Sequence, residues 1–225
     1  MNNGGEFMSS SLPHSALEKL DEHDPVRPWS YNPSAWSQRV PVCVLAFAAT
    51  IIAAHLAAFQ WGLINYVWDP IFGEQSANVI GSEIAKKMDR WVGVPDAALG
   101  AIAYLGDAIF GLAGSTRRWY ERPWIVILFG IDVIPLGIVS VILVMVQTFV
   151  LGQWCFLCLI TATVSLALIY LAYDEVYSSL LFLWKVWLRS RRVNTLWTAI
   201  CGYPTEVSGH VIEEMIGSCD ARKEE

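Results

Sequence analysis

Charged residues are scarce in this sequence of 225 residues: they make up 16% of it, while hydrophobic residues make up 55%. A soluble domain usually carries about 25% charged residues, so this composition is typical of a membrane protein. The charges sum to −6 at pH 7, which argues against a nucleic-acid partner. A basic leader with a cleavage site is also lacking, because the first apolar run begins near Val40 after a polar stretch. We therefore expect the first apolar segment to remain as a membrane anchor.

Cysteine and histidine are too few for a disulfide scaffold or a metal cluster. Among five cysteines and four histidines, only Cys155 and Cys158 form a pair with a meaningful spacing. No second cysteine pair or histidine cluster accompanies them, so we expect no zinc or other metal site.

Long apolar runs are what the sequence has in excess. Four windows of about 18–27 residues are each long enough to cross about 30 Å of hydrocarbon as a helix. They are Val42–Ile64, Ala97–Gly114, Trp124–Val150 and Trp154–Tyr173. The sequence predicts an all-α membrane protein, a four-transmembrane-helix bundle formed by residues 40–175.

The segments that flank this bundle are more polar. Residues 1–39 predict a disordered leader, whose aromatic part at 28–40 would lie at the membrane interface. Residues 176–190 alternate apolar and basic side chains and are too short to span, so they predict an interfacial helix. A polar, mobile tail would follow to residue 225.

The longest loop between predicted spans, residues 68–95, contains a helix signal. Ser82 can cap a short amphipathic helix in which Glu83 and Lys87 have the i,i+4 spacing of an ion pair. Residues 115–123 and 185–192 are rich in arginine and lysine, whereas 68–96 has more acids than bases. The positive-inside rule then predicts cytoplasmic termini, an outer loop at 68–96, and an outward-facing cysteine pair.

Cys155 and Cys158 begin the fourth predicted span. Their i,i+3 spacing puts both sulfurs on one helix face, close enough for a disulfide. A helix N-terminus also favours a thiolate, which is the reactive form. The alternative is a pair of inert, buried cysteines, which membrane helices tolerate. The position at a helix start favours a redox-active pair.

Three ionisable residues lie inside predicted spans: His55, Asp107 and Asp132. A charge in hydrocarbon costs about 3 kcal/mol or more, so these side chains should face the bundle interior. We expect Asp107 and Asp132 to adjoin at a similar depth, and to share a proton or hydrogen-bond to His55. Either a structural polar contact or a proton path would explain them, and the structural contact is the commoner case.

Several motifs together resemble the vitamin K epoxide reductase family over about Val40 to Tyr173. They are Trp68-Asp69 through Ser76, then Val79-Ile80-Gly81-Ser82, then Val94 through Tyr104, and finally Trp154-Cys155-Phe156-Leu157-Cys158. The resemblance implies a four-helix bundle around a quinone of the ubiquinone or menaquinone type. It also implies membrane lipid and an external thioredoxin-like thiol protein as partners, and we expect a bacterial inner membrane as the location.

The resemblance also assigns roles to residues of this chain. Cys158 would face the quinone and Cys155 would exchange electrons with the thiol partner. The quinone-binding residues it implies are Asp96, Ser82, Gly100, Tyr104 and Trp154. A protonated Asp96 would donate a hydrogen bond to a quinone carbonyl.

The sequence departs from the family pattern at the loop cysteines. The two relay cysteines of the family fall on Trp68 and Ser76, which have no thiol, and a family tyrosine falls on Ala162. Two functions follow. The chain is either a quinone-linked thiol–disulfide oxidoreductase without an internal relay, or a non-catalytic quinone-binding or scaffold protein of the same fold.

Overall fold

The computed structural model describes residues 25–217, and all regular structure within that range is helical. The four long helices are α1 (Trp36–Gln60), α4 (Asp96–Leu112), α6 (Pro123–Val146) and α7 (Phe156–Ser190). The short helices are α2 (Glu74–Ile80), α3 (Glu83–Val92), α5 (Arg118–Glu121), α8 (Val193–Ile200) and α9 (Glu206–Gly217). Most of the predicted leader, residues 1–24, and the end of the tail with Cys219 lie outside the described residues.

Three helical segments are long and apolar enough to cross a membrane. They are α1, α7, and α6 together with a π-helical turn, Gln147–Leu151, that continues it. Helix α4 has 17 residues. It is long and apolar enough to cross a membrane only when it is counted together with the preceding helical segment, Glu74–Trp91, from which it is bent by 66°. The chain is therefore an integral membrane protein with three spans, or four if the bent pair counts as one.

Small residues let α1 and α4 approach each other closely. Val42, Ala46, Ala49 and Ala53 recur at steps of three and four along α1, and all four are buried. Such small stripes drive helix association in lipid, where apolar side chains gain little from leaving the solvent. They form one core with buried residues of the other long helices, namely Tyr104, Ala108, Phe129, Val133, Leu168 and Ala172.

Helix α6 starts and ends at residues suited to those positions. Pro123 occupies its first turn, where the missing N–H is not needed. The π-helical turn ends at Gly152, whose φ of +61° is left-handed and favours glycine. This geometry reverses the chain within a few residues and directs it into α7.

The C-terminal part differs from the prediction of a separate interfacial helix and a mobile tail. Helix α7 passes through residue 175 without a break and continues to Ser190. Its residues Phe182 and Val186 are buried against Val211 and Met215 of α9. One face of residues 176–190 thus packs against the chain's own C-terminal helices, which the alternating pattern did not reveal, while Leu180, Trp184 and Leu188 on the other face stay exposed.

The aromatic lead-in also packs onto α7. The Trp29 indole N–H donates to Ser178 Oγ at 2.9 Å, and the Tyr31 hydroxyl donates to Asp174. Burial, followed by the hydrogen bond to Asp174 and its negative charge, raises the pKa of Tyr31 to about 12. Tyr31 therefore stays a neutral donor, and residues 29–31 are fixed to α7.

Two buried arginines hold the C-terminal end of α4. Arg39 donates to the carbonyls of Gly111, Ala113 and Gly114 at 2.8–3.0 Å. Arg118 donates to the Ala113 carbonyl at 2.8 Å and makes a bidentate ion pair with Glu175 at 2.5 Å. Carbonyls at a helix C-terminus have no partner within the helix, so the two guanidinium groups satisfy them. Arg118, which the topology prediction counted as a loop charge, is therefore buried in the bundle.

Candidate redox site

Cys155 and Cys158 form a disulfide at the N-terminal end of α7. Cys155 is the N-cap residue, and its sulfur accepts a hydrogen bond from the Cys158 backbone N–H at 3.2 Å. The positive end of the helix dipole therefore acts on the Cys155 sulfur, which favours a thiolate there when the bond is reduced. Cys155 is 0% exposed, whereas Cys158 is only partly buried.

The loop between α1 and α2, with the first turn of α2, covers Cys155 through a half-buried hydrogen-bond network. Ser76 donates to the Asp69 carboxylate, and the Phe156 backbone N–H donates to both Asp69 Oδ2 and Ser76 Oγ at 3.2 Å. Burial by itself would raise the pKa of Asp69. The hydrogen bonds from Ser76 and from the backbone N–H groups of Phe72, Ile71 and Phe156 outweigh it, and hold that pKa at about 2. Asp69 is thus ionised at neutral pH beside the helix N-terminus.

Other side chains complete this seal. Gln75 accepts from the Trp154 backbone N–H at 3.2 Å, and Gln147 of the π-helical turn accepts from the Cys155 N–H at 3.3 Å. Trp68 packs edge-on against Phe156, and Phe72 stacks on Trp154. The contacts leave Cys155 without a direct opening to the loop side. Asp69, Gln75, Ser76 and their contacts with residues 154–156 together form what we term the loop seal.

Cys158 faces a cavity of about 400 Å³ inside the bundle. Four of the five residues expected to bind a quinone also line it, namely Ser82, Asp96, Gly100 and Tyr104. Trp154 is not among the described lining residues, because its ring stacks on Phe72 in the loop seal. Most of the remaining wall is apolar.

Asp96 has a partner that the sequence analysis missed. The Gln60 side-chain N–H donates to Asp96 Oδ1 at 2.5 Å, and Gln60 Oε1 accepts from the Ala97 N–H at 3.3 Å. Asp96 is thus an acceptor in this contact, whereas the sequence predicted a donor to a quinone. Gln60 and Gln147 both line the cavity. Each of these two glutamines is a single amide side chain near the end of an apolar run, and this sequence feature could have identified them as site residues.

A cluster of hydroxyl groups lies further along the cavity. The Tyr104 hydroxyl is 2.7 Å from Ser165 Oγ and donates to the Thr161 carbonyl at 3.1 Å. Ser140 Oγ is 3.0 Å from Ser165 Oγ. Tyr104 therefore brings a phenol from α4 to the turn of α7 that contains Ala162, the position of the missing family tyrosine. Neither serine was predicted as a site residue.

The three intramembrane ionisable residues do not form one group. The His55 ring lies 6.3 Å from that of Tyr66, and its Nε2 has no hydrogen-bond partner within residues 25–217. Asp107 is 0% exposed, and neither of its carboxyl oxygens has a partner in the same range. The predicted hydrogen bond to His55 is therefore absent there. Asp132 lines the cavity and its carboxylate lies against Gly106, the residue before Asp107 in α4, but no hydrogen bond joins the two acids within residues 25–217.

The fold and the site together define an integral membrane protein with a disulfide on the wall of an intramembrane cavity. The model of the Vitamin K epoxide reductase family matches residues 40–173. Because this match covers more than half of the chain, the protein belongs to that family, as the sequence motifs predicted. A comparison with curated proteins gives no match. Membership of the family indicates a quinone-linked thiol oxidoreductase in general.

The described residues contain no group of three or more His, Cys, Asp or Glu side chains suited to a metal ion. The positions of the two family relay cysteines, Trp68 and Ser76, both belong to the region that covers Cys155. The two positions to which the resemblance assigned relay cysteines thus carry side chains that hold the loop against residues 154–156.

Proposed function

We propose that this protein is a quinone-linked thiol–disulfide oxidoreductase that works without an internal cysteine relay. The observation that carries the proposal is the position of Cys158, one of two bonded cysteines, in the wall of an intramembrane cavity. A quinone of the ubiquinone or menaquinone type is the co-substrate that best suits such a site, because its ring is apolar and its two oxygens need polar partners. A bacterial inner membrane stays our expectation for the location.

The residues present fit a quinone. A cavity of about 400 Å³ is within the usual range for a small ligand, and it is mainly apolar with a few polar groups. Asp96, Gln60 and Ser82 provide those polar groups near the disulfide end. Leu99, Ile131 and Val139 line the cavity and are also exposed on the bundle surface. A lipid-soluble molecule would therefore enter between α4 and α6.

The electrons balance between the two partners. The reduced cysteine pair gives up two electrons as the Cys155–Cys158 bond forms, and the quinone takes two electrons and two protons to become a quinol. The Cys158 sulfur makes contact with the ring, and Cys155 closes the disulfide. Asp96, Ser82 and Tyr104 orient the oxygens. The reverse reaction uses the same atoms, with the quinol as electron donor.

The buried position of Cys155 sets a condition on the thiol partner. A thioredoxin-like protein attacks a disulfide through its own thiolate, which must reach one of the two sulfurs. Because the loop seal covers Cys155, this exchange requires the loop to move. The same observation favours the alternative function, a non-catalytic quinone-binding protein of the same fold, in which the seal is permanent.

Thiol trapping with a mass tag tests the proposal. The protein is reduced in detergent, mixed with a quinone, and then treated with the tag, which counts free thiols. We expect Cys155 and Cys158 to become oxidised only when the quinone is present, and the Cys155→Ala and Cys158→Ala variants to leave the quinone unreduced. If the parent pair stays reduced, the non-catalytic function is the correct one.

A relay graft gives a second test. Ser76 Oγ lies 3.2 Å from the backbone nitrogen of Phe156, the residue that follows Cys155. The Trp68→Cys, Ser76→Cys double variant should therefore gain a thiol close to Cys155 and speed up oxidation of an external dithiol by the quinone. The matched control, Trp68→Cys with Ser76→Ala, should gain nothing.

We also propose that α4 completes a fourth span and that both termini are cytoplasmic. The loop that follows α1 contacts the residues that precede α7, so these two segments lie at one end of the bundle. Two segments on the same side of a membrane are separated by an even number of membrane crossings. Helices α4 and α6 would supply these two crossings.

A further inference from the structure

The cavity extends far beyond the disulfide. Its wall on α6 is one stripe of residues from Gln147 to Asp132, which is about 22 Å along the helix at 1.5 Å per residue. The end near Gln147 adjoins the redox site described above. The other end, at Asp132, has no role in that site.

Two carboxyl groups lie at this far end, and neither has a salt bridge to another of the described residues, 25–217. Asp132 lines the cavity, and its Oδ2 would be only 2.7 Å from a Cβ on Gly106, the residue before Asp107. Asp107 is 0% exposed, and neither oxygen is hydrogen-bonded within residues 25–217. An unpaired carboxylate in such a place is costly, so Asp107 suits the neutral, proton-carrying form.

Polar groups continue from this pair toward the disulfide. Pro135 has no N–H, so the Ile131 carbonyl one turn earlier lacks its helical hydrogen bond, and both residues line the cavity. The hydroxyl cluster of Ser140, Ser165 and Tyr104 lies about 12 Å along α6 from Asp132. Ser165 is in turn about 10 Å along α7 from Cys158. Waters bound at these polar groups, in the part of the cavity that the quinone ring leaves free, would join them.

We propose that Asp107 and Asp132 form the inner end of a proton route that serves the quinone oxygen farther from Cys158. This inference rests on the proposed function. Disulfide formation releases two thiol protons and the quinone takes up two, but the two oxygens of a para-quinone lie on opposite sides of its ring. The far oxygen receives its proton through Tyr104, Ser140 and Asp132. One thiol proton leaves at the disulfide end, and Asp132 regains its proton from Asp107, which regains its own from water at that end of the bundle.

Infrared spectroscopy of the full chain in lipid nanodiscs tests the route without any quinone. We expect a carboxylic-acid C=O band that disappears in Asp107→Asn and remains in Asp89→Asn, a matched control on α3. The band should shift within seconds in D2O, because a connected route exchanges its protons with water. A missing band, or a band that stays unshifted for hours, would overturn the proposal.

Quinone reduction by a dithiol in reconstituted vesicles is the second test. Asp132→Asn should slow turnover by about 10²-fold, as for loss of a general acid, while Asp132→Glu should restore most of it. Parental turnover in Asp132→Asn would overturn the route. If the parent itself reduces no quinone, the proposed function fails, and the infrared result still decides the proton route.

Discussion

Asp69 controls access to Cys155 at the scale of a single residue. Its carboxylate accepts hydrogen bonds from Ser76 and from three backbone N–H groups, including that of Phe156 at the start of α7. An ionised acceptor at a helix N-terminus is stabilised by the helix dipole as well as by those bonds. One side chain therefore joins the loop to the redox site.

The Asp69→Asn variant should loosen the loop seal. Loss of one charge-assisted hydrogen bond is worth about 1.5–3 kcal/mol, so we expect the reduced Cys155 thiol to react with a maleimide roughly tenfold faster or more. The rate is measured by mass spectrometry on the reduced protein, and Asp89→Asn is the control. An unchanged rate would mean that other contacts hold the loop.

The same residue gives a pH prediction. Because the folded-state pKa of Asp69 is about 2, below its ordinary value near 4, the ionised form stabilises the fold. This contribution is complete above about pH 4 and is lost as the pH falls through about 2. The difference in unfolding temperature between the parent and Asp69→Asn should therefore be constant above pH 4 and disappear toward pH 2.

Glu175 is a second residue whose removal has a clear expected result. Its side chain is 4% exposed and pairs with Arg118, which is 1% exposed. Glu175→Gln leaves a buried guanidinium without its counter-charge, which should destabilise the protein by about 3–5 kcal/mol. Glu214→Gln is the control, because Glu214 is 46% exposed in its pairs with Lys185 and Arg189, and it should lose less than about 1 kcal/mol. Thermal unfolding in detergent measures both values.

At the scale of elements, the contact between α1 and α4 depends on having no side chain at Gly111. A Cβ there would lie 2.7 Å from Cys43 Sγ, which is too close unless the Cys43 side chain or one of the helices shifts. A stripe of mostly small residues, Gly100, Ala103, Asp107 and Gly111, recurs at steps of three and four along α4, but this spacing did not show which helix the stripe meets.

Gly111→Ala should therefore destabilise the bundle by about 1–3 kcal/mol through overpacking. Adding Cys43→Ala should restore most of the loss, because it removes the sulfur that the new methyl meets. Gly100→Ala serves as a control, since its nearest atom would be a ring carbon of Tyr104 at 3.9 Å. If the double variant unfolds at the same temperature as Gly111→Ala, the helix contact is different from the one described.

The ion pair on α3 forms with the lysine that precedes the predicted one. Ser82 caps the helix by accepting from the Ala85 N–H at 3.2 Å, but Glu83 pairs with Lys86, not with the predicted Lys87. Both i,i+3 and i,i+4 neighbours are within reach on a helix, so the spacing alone does not choose between them. The pair is exposed and has little effect on stability.

At the scale of the whole molecule, the four-span arrangement makes a prediction about sidedness. Cys201 is an exposed native cysteine near the C-terminal helices, and Trp91 is 91% exposed on α3. In a Trp91→Cys variant with Cys219 replaced by serine, a membrane-impermeant maleimide should label positions 91 and 201 from opposite sides. Labelling of both from the same side would require an even number of crossings between them, and would contradict the four-span arrangement.

What the sequence determined by itself is what depends on local pattern: the apolar segments, the paired cysteines at a helix start, the family motifs, and the stripe of small residues on α4. These features follow from composition and from spacing along one helix. Tertiary structure alone decided which faces meet. Contacts between distant segments cover Cys155 with Asp69 and Ser76, and they join Gln60 to Asp96 by a hydrogen bond. They also leave Asp107 without a hydrogen bond to His55 and place the Trp154 ring outside the cavity. Tertiary structure also folded the expected tail onto α7, because contacts between distant segments depend on three-dimensional packing that no local spacing encodes.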